Sequence, residues 1–98
     1  MKKETVIQAL RENKEVLSQF NVRSLSVFGS VARDESGPES DVDILVEFEP
    51  GARAGLFTLA RLQRLLQKML GAEVDLVTPG AIHPEMKDGI LEEAINAF

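Results

Sequence analysis

The sequence predicts an α/β domain with a three-stranded mixed sheet, in the order helix, strand, helical turn, strand, helix, strand, helix. Three observations support this prediction. Residues 23–28 and 42–48 alternate apolar and polar side chains with the period of a strand. Leucines at helical spacing run through residues 56–70. The chain has 98 residues, which suits one compact domain over residues 1–98.

The N-terminal part of the chain predicts the first helix and the first strand. Residues 3–20 carry apolar side chains at helical spacing, with one gap at Asn13. Asn21 is the expected end of this helix. Residues 23–28 then form the first strand, which we expect Gly29 to end.

A short connection joins the first two strands. Residues 30–33 can form one helical turn, and residues 34–40 are a loop by composition, with Gly37-Pro38 as the turn signal. A parallel crossover needs a dozen or more residues and usually a full helix. The two strands are therefore expected to be antiparallel.

The C-terminal half predicts a long helix, a third strand and a last helix. The helix over residues 56–70 stops at Gly71, and residues 73–78 form the third strand. Because a helix separates the second and third strands, a right-handed parallel connection is expected. Pro84 suits the first turn of a last helix, which we expect to extend through Ile95.

Composition excludes several classes of function. The chain contains no cysteine, which rules out disulfides and thiolate zinc sites. Its net charge is −5 and it has no Trp or Tyr, so long nucleic acids are not expected as ligands. No apolar run reaches the ~18 residues of a membrane helix, and we expect a cytoplasmic protein. His83 is interpreted as a helix-start residue, and Glu92 and Glu93 as surface residues.

Three aspartates are the candidate catalytic residues and metal ligands. Asp41 and Asp43 share one face of the second strand, and Asp75 follows the start of the third. In the predicted sheet the three carboxylates meet on the face opposite the helices. Such a cluster is stable when a divalent cation neutralises it or one carboxyl is protonated. Two Mg²⁺ ions ~3.5–4 Å apart can activate a hydroxyl and stabilise departing pyrophosphate. Asp75 would then complete the metal site nearer the acceptor and take its proton.

The turn after the first strand supplies the candidate nucleotide-binding residues, Gly29, Ser30 and Arg33. Gly29 has no Cβ and lets the backbone approach a triphosphate. Ser30 offers a hydroxyl and a backbone N–H near a helix N-terminus, and Arg33 can neutralise phosphate charge. Arg33 can equally pair with Asp34 or Glu35 at the surface.

The segments FGSVAR, SDVDILV, VDLVTPG and HPEMKDGILEEAI resemble the minimal nucleotidyltransferases. These belong to the superfamily that includes DNA polymerase beta, whose pattern is GS, about ten residues, then DxD. The resemblance implies a nucleotidyltransferase core, ATP with Mg²⁺, and transfer of AMP to a hydroxyl, typically of tyrosine, on a HEPN-domain toxin partner. It implies that this chain is the antitoxin. It carries Gly29, Ser30, Asp41, Asp43 and Asp75 over as active-site residues.

Two other functions stay open. Arg33 matches the arginine of the family's GSxAR segment, but many relatives continue with Gly where this chain has Asp34, and the added negative charge predicts weaker nucleotide binding. A binding module that neutralises its partner by occlusion is one alternative. It would use a basic stripe on the long helix, whose ordinary interpretation is a solvated face; the stripe comprises Arg61, Arg64 and Lys68. A nucleotidyltransferase acting on a small molecule such as an antibiotic is the other.

Overall fold

A four-stranded mixed sheet forms the centre of the fold, in a computed structural model that describes residues 1–35, 37 and 41–98. The strands are β1 (Val22–Phe28), β2 (Val42–Phe48), β3 (Val74–Val77) and β4 (Ile95–Asn96). The helices are α1 (Lys3–Glu12), α2 (Lys14–Ser18), α3 (Gly29–Ala32), α4 (Leu56–Leu70) and α5 (Pro84–Glu93). A 3₁₀ turn, Pro79–Ala81, follows β3.

The strand directions agree with the sequence prediction. The order across the sheet is β3-β2-β1-β4. β1 and β2 are antiparallel, with Phe28 opposite Asp43, and β2 and β3 are parallel, with Asp43 opposite Asp75. The short connection between β1 and β2 and the long helix between β2 and β3 therefore set the directions as expected.

The hydrophobic core lies between one face of the sheet and three helices. Its fully buried side chains come from α1, α2 and α4 and from alternate positions of β1 and β2. They include Val6, Leu10, Leu17, Leu25, Val27, Ile44, Val46, Leu62 and Leu66. Burial of apolar surface in this layer stabilises the sheet, and the opposite face of the sheet carries Asp43 together with the buried side chains of Phe28 and Leu45.

A fourth strand corrects the predicted three-stranded sheet. The last helix ends at Glu93, and the extended backbone of Ala94 (φ −64°, ψ 132°) starts a new direction. Ile95, which we had expected within the helix, instead pairs with Val27. The N–H of Ala97 donates to the carbonyl of Leu25 at 2.8 Å. These bonds cover the edge of β1, which would otherwise present unpaired backbone groups to solvent.

The N-terminal helix is also divided. Asn13 (φ −106°, ψ 17°) separates α1 from α2, and its side-chain amide donates to the carbonyl of Ala9 at 2.7 Å. This is the position of the gap in the apolar pattern. Asn21 lies three residues beyond α2 with a left-handed φ of 62°. The predicted loop over residues 34–40, with its Gly37-Pro38 turn, includes Ser36 and residues 38–40, which lie outside the described residues.

Across the described part of the chain, no helix combines the length and the apolar character needed to cross a bilayer.

Candidate active site

Asp43 and Asp75 lie side by side on neighbouring strands. They are register partners in the parallel β2–β3 pair, so their side chains leave the same face of the sheet. Asp41 directly precedes β2 and lies two residues before Asp43, which puts it on that face by strand alternation. The helices cover the other face, where Val42 and Ile44 are buried. The sheet thus puts Asp43 and Asp75 on one surface, but the described residues do not form the three-carboxylate cluster that the sequence predicts.

The charge of Asp43 is poorly compensated. Burial of its half-buried side chain raises the pKa of this carboxyl, and the negative charges of Asp75, Asp41 and Glu93 raise it further. Arg33 acts in the opposite direction but is the weakest of these influences. An added cation would therefore be stabilising at this position.

The described side chains do not form a ready-made metal cage. Among residues 1–35, 37 and 41–98, no three His, Cys, Asp or Glu side chains lie together closely enough to hold an ion. Mg²⁺ usually takes only one or two protein carboxylates and completes its shell with water and substrate phosphates. The carboxylates of Asp41 and Asp43 supply two oxygen donors, and the negative charge of Asp43 is poorly compensated. The pair therefore fits the requirement of Mg²⁺ without a third protein ligand already in place.

Gly29 forms the corner next to Asp43. Its φ is +71°, in the left-handed region that side chains rarely adopt. A Cβ built on Gly29 would collide with Oδ2 of Asp43 and lie 2.9 Å from its Cγ. The sequence suggested that glycine serves approach of a phosphate. The structure adds that the carboxylate of Asp43 already occupies the space a side chain would need.

Glu93 was missed by the sequence analysis. It is not a free surface residue: Oε1 accepts a hydrogen bond from the N–H of Gly29 at 2.9 Å, and Oε2 accepts one from Nη1 of Arg33 at 2.8 Å. These two contacts lower the pKa of the Glu93 carboxyl, the Arg33 hydrogen bond most. Nε of Arg33 also bonds Glu35 at 3.0 Å, as the surface-pairing alternative predicted. No local pattern indicates Glu93, which lies 60 residues from Arg33 in the chain.

Ser30 and Asp34 complete the turn. Ser30 is half-buried in α3, and its carbonyl accepts from the N–H of Glu35 at 2.8 Å. Asp34 has a left-handed φ of 57°, which explains why glycine suits this position. Its carboxylate lies 3.4 Å from Nζ of Lys3. The added charge that distinguishes Asp34 therefore has a cationic neighbour.

The basic stripe is exposed along α4. Arg61, Arg64 and Lys68 all lie at the surface, as the solvated-face interpretation predicted. His83 caps α5, since its Nδ1 accepts from the N–H of Glu85 at 3.4 Å. Neither feature adds a group to the aspartate face.

Asp41 and Asp75 are exposed and Asp43 is half-buried. A cavity of about 280 Å³ lies elsewhere, and none of the aspartates lines it. Its walls are Gln19, Phe20, Asn21, Ala52, Arg53, Ala54, Thr58 and Arg61.

Comparisons with known proteins agree with the fold. The profile of the nucleotidyltransferase domain family matches residues 7–96. A Methanocaldococcus jannaschii protein, described as a candidate protein adenylyltransferase, is 47% identical over 83 residues, which span 85% of this chain and 87% of the relative. A solved structure described as a candidate minimal nucleotidyltransferase has a TM-score of 0.79 and 38% identity, and the match covers 97% of this chain and 95% of the other. The Shewanella oneidensis complex of a tri-AMPylated HEPN toxin with an MNT antitoxin has a TM-score of 0.62 over 93% of this chain and 71% of that one. At 22% identity that complex shows a shared fold only.

Proposed function

This chain belongs to the nucleotidyltransferase domain family, and from that premise we propose that it is an ATP- and Mg²⁺-dependent protein adenylyltransferase. It transfers AMP to a hydroxyl of a HEPN-domain toxin, with tyrosine as the expected acceptor, and so acts as an antitoxin. The observation that carries the proposal is the register of Asp43 with Asp75 beside the Gly29 corner.

The reaction assigns a separate task to each strand. The acceptor oxygen attacks the α-phosphorus of ATP, the bond to the leaving pyrophosphate breaks, and AMP remains esterified to the acceptor. Asp75, exposed on β3, takes the hydroxyl proton. The turn after β1 binds the triphosphate: Gly29 allows close backbone approach, Ser30 donates from its hydroxyl, and Arg33 neutralises charge.

Asp41 and Asp43 would hold Mg²⁺ in this proposal, and Asp75 would join them as a further ligand when the bound metal draws the three carboxylates together, since the described residues form no such cluster without it. Bound Mg²⁺ supplies charge neutralisation for the triphosphate and lowers the pKa of the acceptor hydroxyl. The uncompensated charge of Asp43 supports this assignment, because burial and two neighbouring aspartates raise its pKa.

A macromolecular acceptor fits the composition of the chain. The chain has no tyrosine, so tyrosine must come from another molecule. The partner surface would exclude water from the site when it docks. The relatives described as protein adenylyltransferases, and the AMPylated HEPN toxin in the structural neighbour, support this class of acceptor.

Transfer of α-labelled AMP to a co-purified HEPN-domain partner tests the proposal. Asp41→Asn and Asp43→Asn should each abolish transfer in the presence of Mg²⁺, while circular dichroism shows an unchanged fold. Glu47→Gln removes one charge from the same strand, away from the aspartates, and should retain activity. Full labelling by the Asp41→Asn/Asp43→Asn double variant would refute the proposal, and mass spectrometry of the partner would locate the added AMP.

Neutralisation by occlusion is the second candidate, favoured by the exposed basic side chains of α4. Under occlusion, the aspartate variants still protect cells from the toxin, whereas charge reversal at Arg61, Arg64 and Lys68 removes protection. Under adenylyl transfer, the aspartate variants lose protection. A small-molecule acceptor, such as an aminoglycoside, would instead be labelled by the purified chain without any protein partner.

A further inference from the structure

The carboxylate of Glu93 is hydrogen-bonded to the two groups that the proposed function assigns to the nucleotide phosphates. Its two oxygens divide between the Gly29 N–H, at 2.9 Å, and the Arg33 guanidinium, at 2.8 Å. A backbone N–H at a left-handed glycine and an arginine fork together form an anion site. In this structure the anion at that site is the carboxylate of Glu93, from the same chain.

A carboxylate and a phosphate make the same kinds of contact with such a site. Both accept charge-assisted hydrogen bonds from backbone N–H groups and from arginine. The backbone N–H of Gly29 has one hydrogen, so only one of the two anions can use it at a time, whereas Nη1 of Arg33 has two hydrogens and a phosphate there would still face the negative charge of Glu93. A triphosphate that reaches both groups must first displace Glu93.

The contact is accessible enough to open. The Glu93 side chain is 28% exposed and that of Arg33 is 47% exposed, so water can replace either partner. Exposed ion pairs of this kind contribute little to the stability of a fold. Nucleotide binding can therefore break it at a small cost in stability.

The helix that carries Glu93 is lightly anchored. None of the ten residues of α5, all of which the structure describes, is buried. Met86 is 60% exposed and Leu91 is 45% exposed. Elements with few buried apolar contacts open at lower free energy than the core of a protein. Release of the Glu93 side chain can then loosen α5, while β4, which begins two residues after Glu93, stays paired with β1.

We propose that Glu93 is an internal competitor for the nucleotide site: its carboxylate holds Gly29 and Arg33 in the free protein, and a nucleoside triphosphate binds by displacing it. The inference rests on the proposed function, because it assumes that these two groups bind phosphate. The opposite role, in which Glu93 orients Arg33 for phosphate, predicts the opposite effect of its removal.

Calorimetric titration of the full chain with AMP-PNP and Mg²⁺ separates these roles. Glu93→Gln removes the charge, and Glu93→Asp keeps it but is one methylene too short to span both partners. If Glu93 competes with phosphate, both variants should bind about two- to fivefold more tightly than the wild type, as expected for release of a partly exposed ion pair. Glu92→Gln makes the same charge change at the exposed neighbouring residue and should alter affinity less than twofold.

Each other outcome refutes the inference in a distinct way. Weaker binding by both Glu93 variants would make Glu93 a positioning residue. Tighter binding by Glu93→Gln alone would show that Glu93 only repels the nucleotide through its charge and does not compete for the hydrogen-bond donors. Unchanged affinity in both would show that Glu93 does not contact the nucleotide site. If neither the wild type nor any variant binds AMP-PNP, the proposed function fails together with the inference.

Amide hydrogen exchange adds a readout of α5 itself. If AMP-PNP displaces Glu93, exchange in α5 should rise when the wild type binds the nucleotide. In Glu93→Gln the same amides should exchange fast before nucleotide is added, and little more afterwards. Slower exchange in α5 on binding to the wild type would contradict displacement.

Discussion

Replacing Asp43 by asparagine should stabilise the metal-free protein. The pKa of Asp43 is raised above its ordinary value of 3.8 by burial, then by the charges of Asp75 and Asp41. A raised pKa means that the ionised carboxyl opposes folding. The stabilisation that a neutral carboxyl gives is complete below about pH 3.8 and is lost as the pH rises through the raised value. An asparagine, neutral at every pH, should restore it near neutrality.

The spacing of the strands sets the size of this effect. Carboxylates about 6 Å apart, slightly more than the strand spacing, repel by ~0.7 kcal/mol in bulk water and by ~3 kcal/mol at an effective dielectric constant of 20. Asp43 is half-buried and Asp75 is exposed, so the value lies toward the lower end. We expect a gain of about 1 kcal/mol, which raises the Tm of a domain this small by roughly 4–8 °C.

Thermal denaturation in EDTA at about neutral pH measures this gain. Glu47→Gln removes a charge from the same strand without a nearby aspartate, and it should change the free energy of unfolding by no more than ~0.5 kcal/mol. Adding Mg²⁺ should raise the Tm of the wild type and leave that of Asp43→Asn nearly unchanged. A folded Asp43→Asn variant with a Tm equal to or below that of the wild type in EDTA would refute the electrostatic argument.

Three further predictions concern the Gly29 corner, the fourth strand and pH. Gly29→Ala should cost roughly 2 kcal/mol or more by urea denaturation, from its left-handed φ and the collision with Asp43; a cost below ~0.5 kcal/mol would contradict it. Ala97→Asp places a charge at a buried site of the C-terminal segment and should cost at least ~2 kcal/mol. Asn96→Asp changes the exposed neighbouring residue and should change stability by less than ~0.5 kcal/mol. Equal effects of the two substitutions would argue against a C-terminal segment that covers the edge of β1. The pKa of Glu93 is lowered from 4.5, so its ion pair should make the wild type more stable than Glu93→Gln by ~0.2–1 kcal/mol above pH 4.5. As the pH falls through the lowered pKa, the urea midpoints of the two proteins should converge. A difference that persists in acid would exclude the ionised carboxylate as its source.

Periodicity predicted the elements whose packing is strongest. The second strand, Val42–Phe48, and the long helix, Leu56–Leu70, have the predicted bounds, because each has one apolar face over a fixed period. The last helix was predicted too long. Ile95 has helical spacing from Leu91, but its strand pairing depends on β1, which no local pattern reports.

The aspartates show the same division within the site. Connection lengths were enough to predict antiparallel β1–β2 and parallel β2–β3, and with them the shared face of Asp43 and Asp75. They could not predict how closely the carboxylates approach, and the described residues form no ready cage. Side-chain rotamers and local charge decide that distance, and neither follows from strand register.

The sequence by itself determined the strand directions and the face on which the aspartates lie, because alternation and connection length are local properties of the chain. Only the tertiary structure decided that Glu93 returns to the first turn and bonds Gly29 and Arg33. That contact depends on where α5 ends relative to β1. The pairing of β4 with β1 fixes this position, because β4 directly follows the end of α5. Contacts between residues 60 or more positions apart arise from packing of the whole chain, which no spacing within one segment encodes.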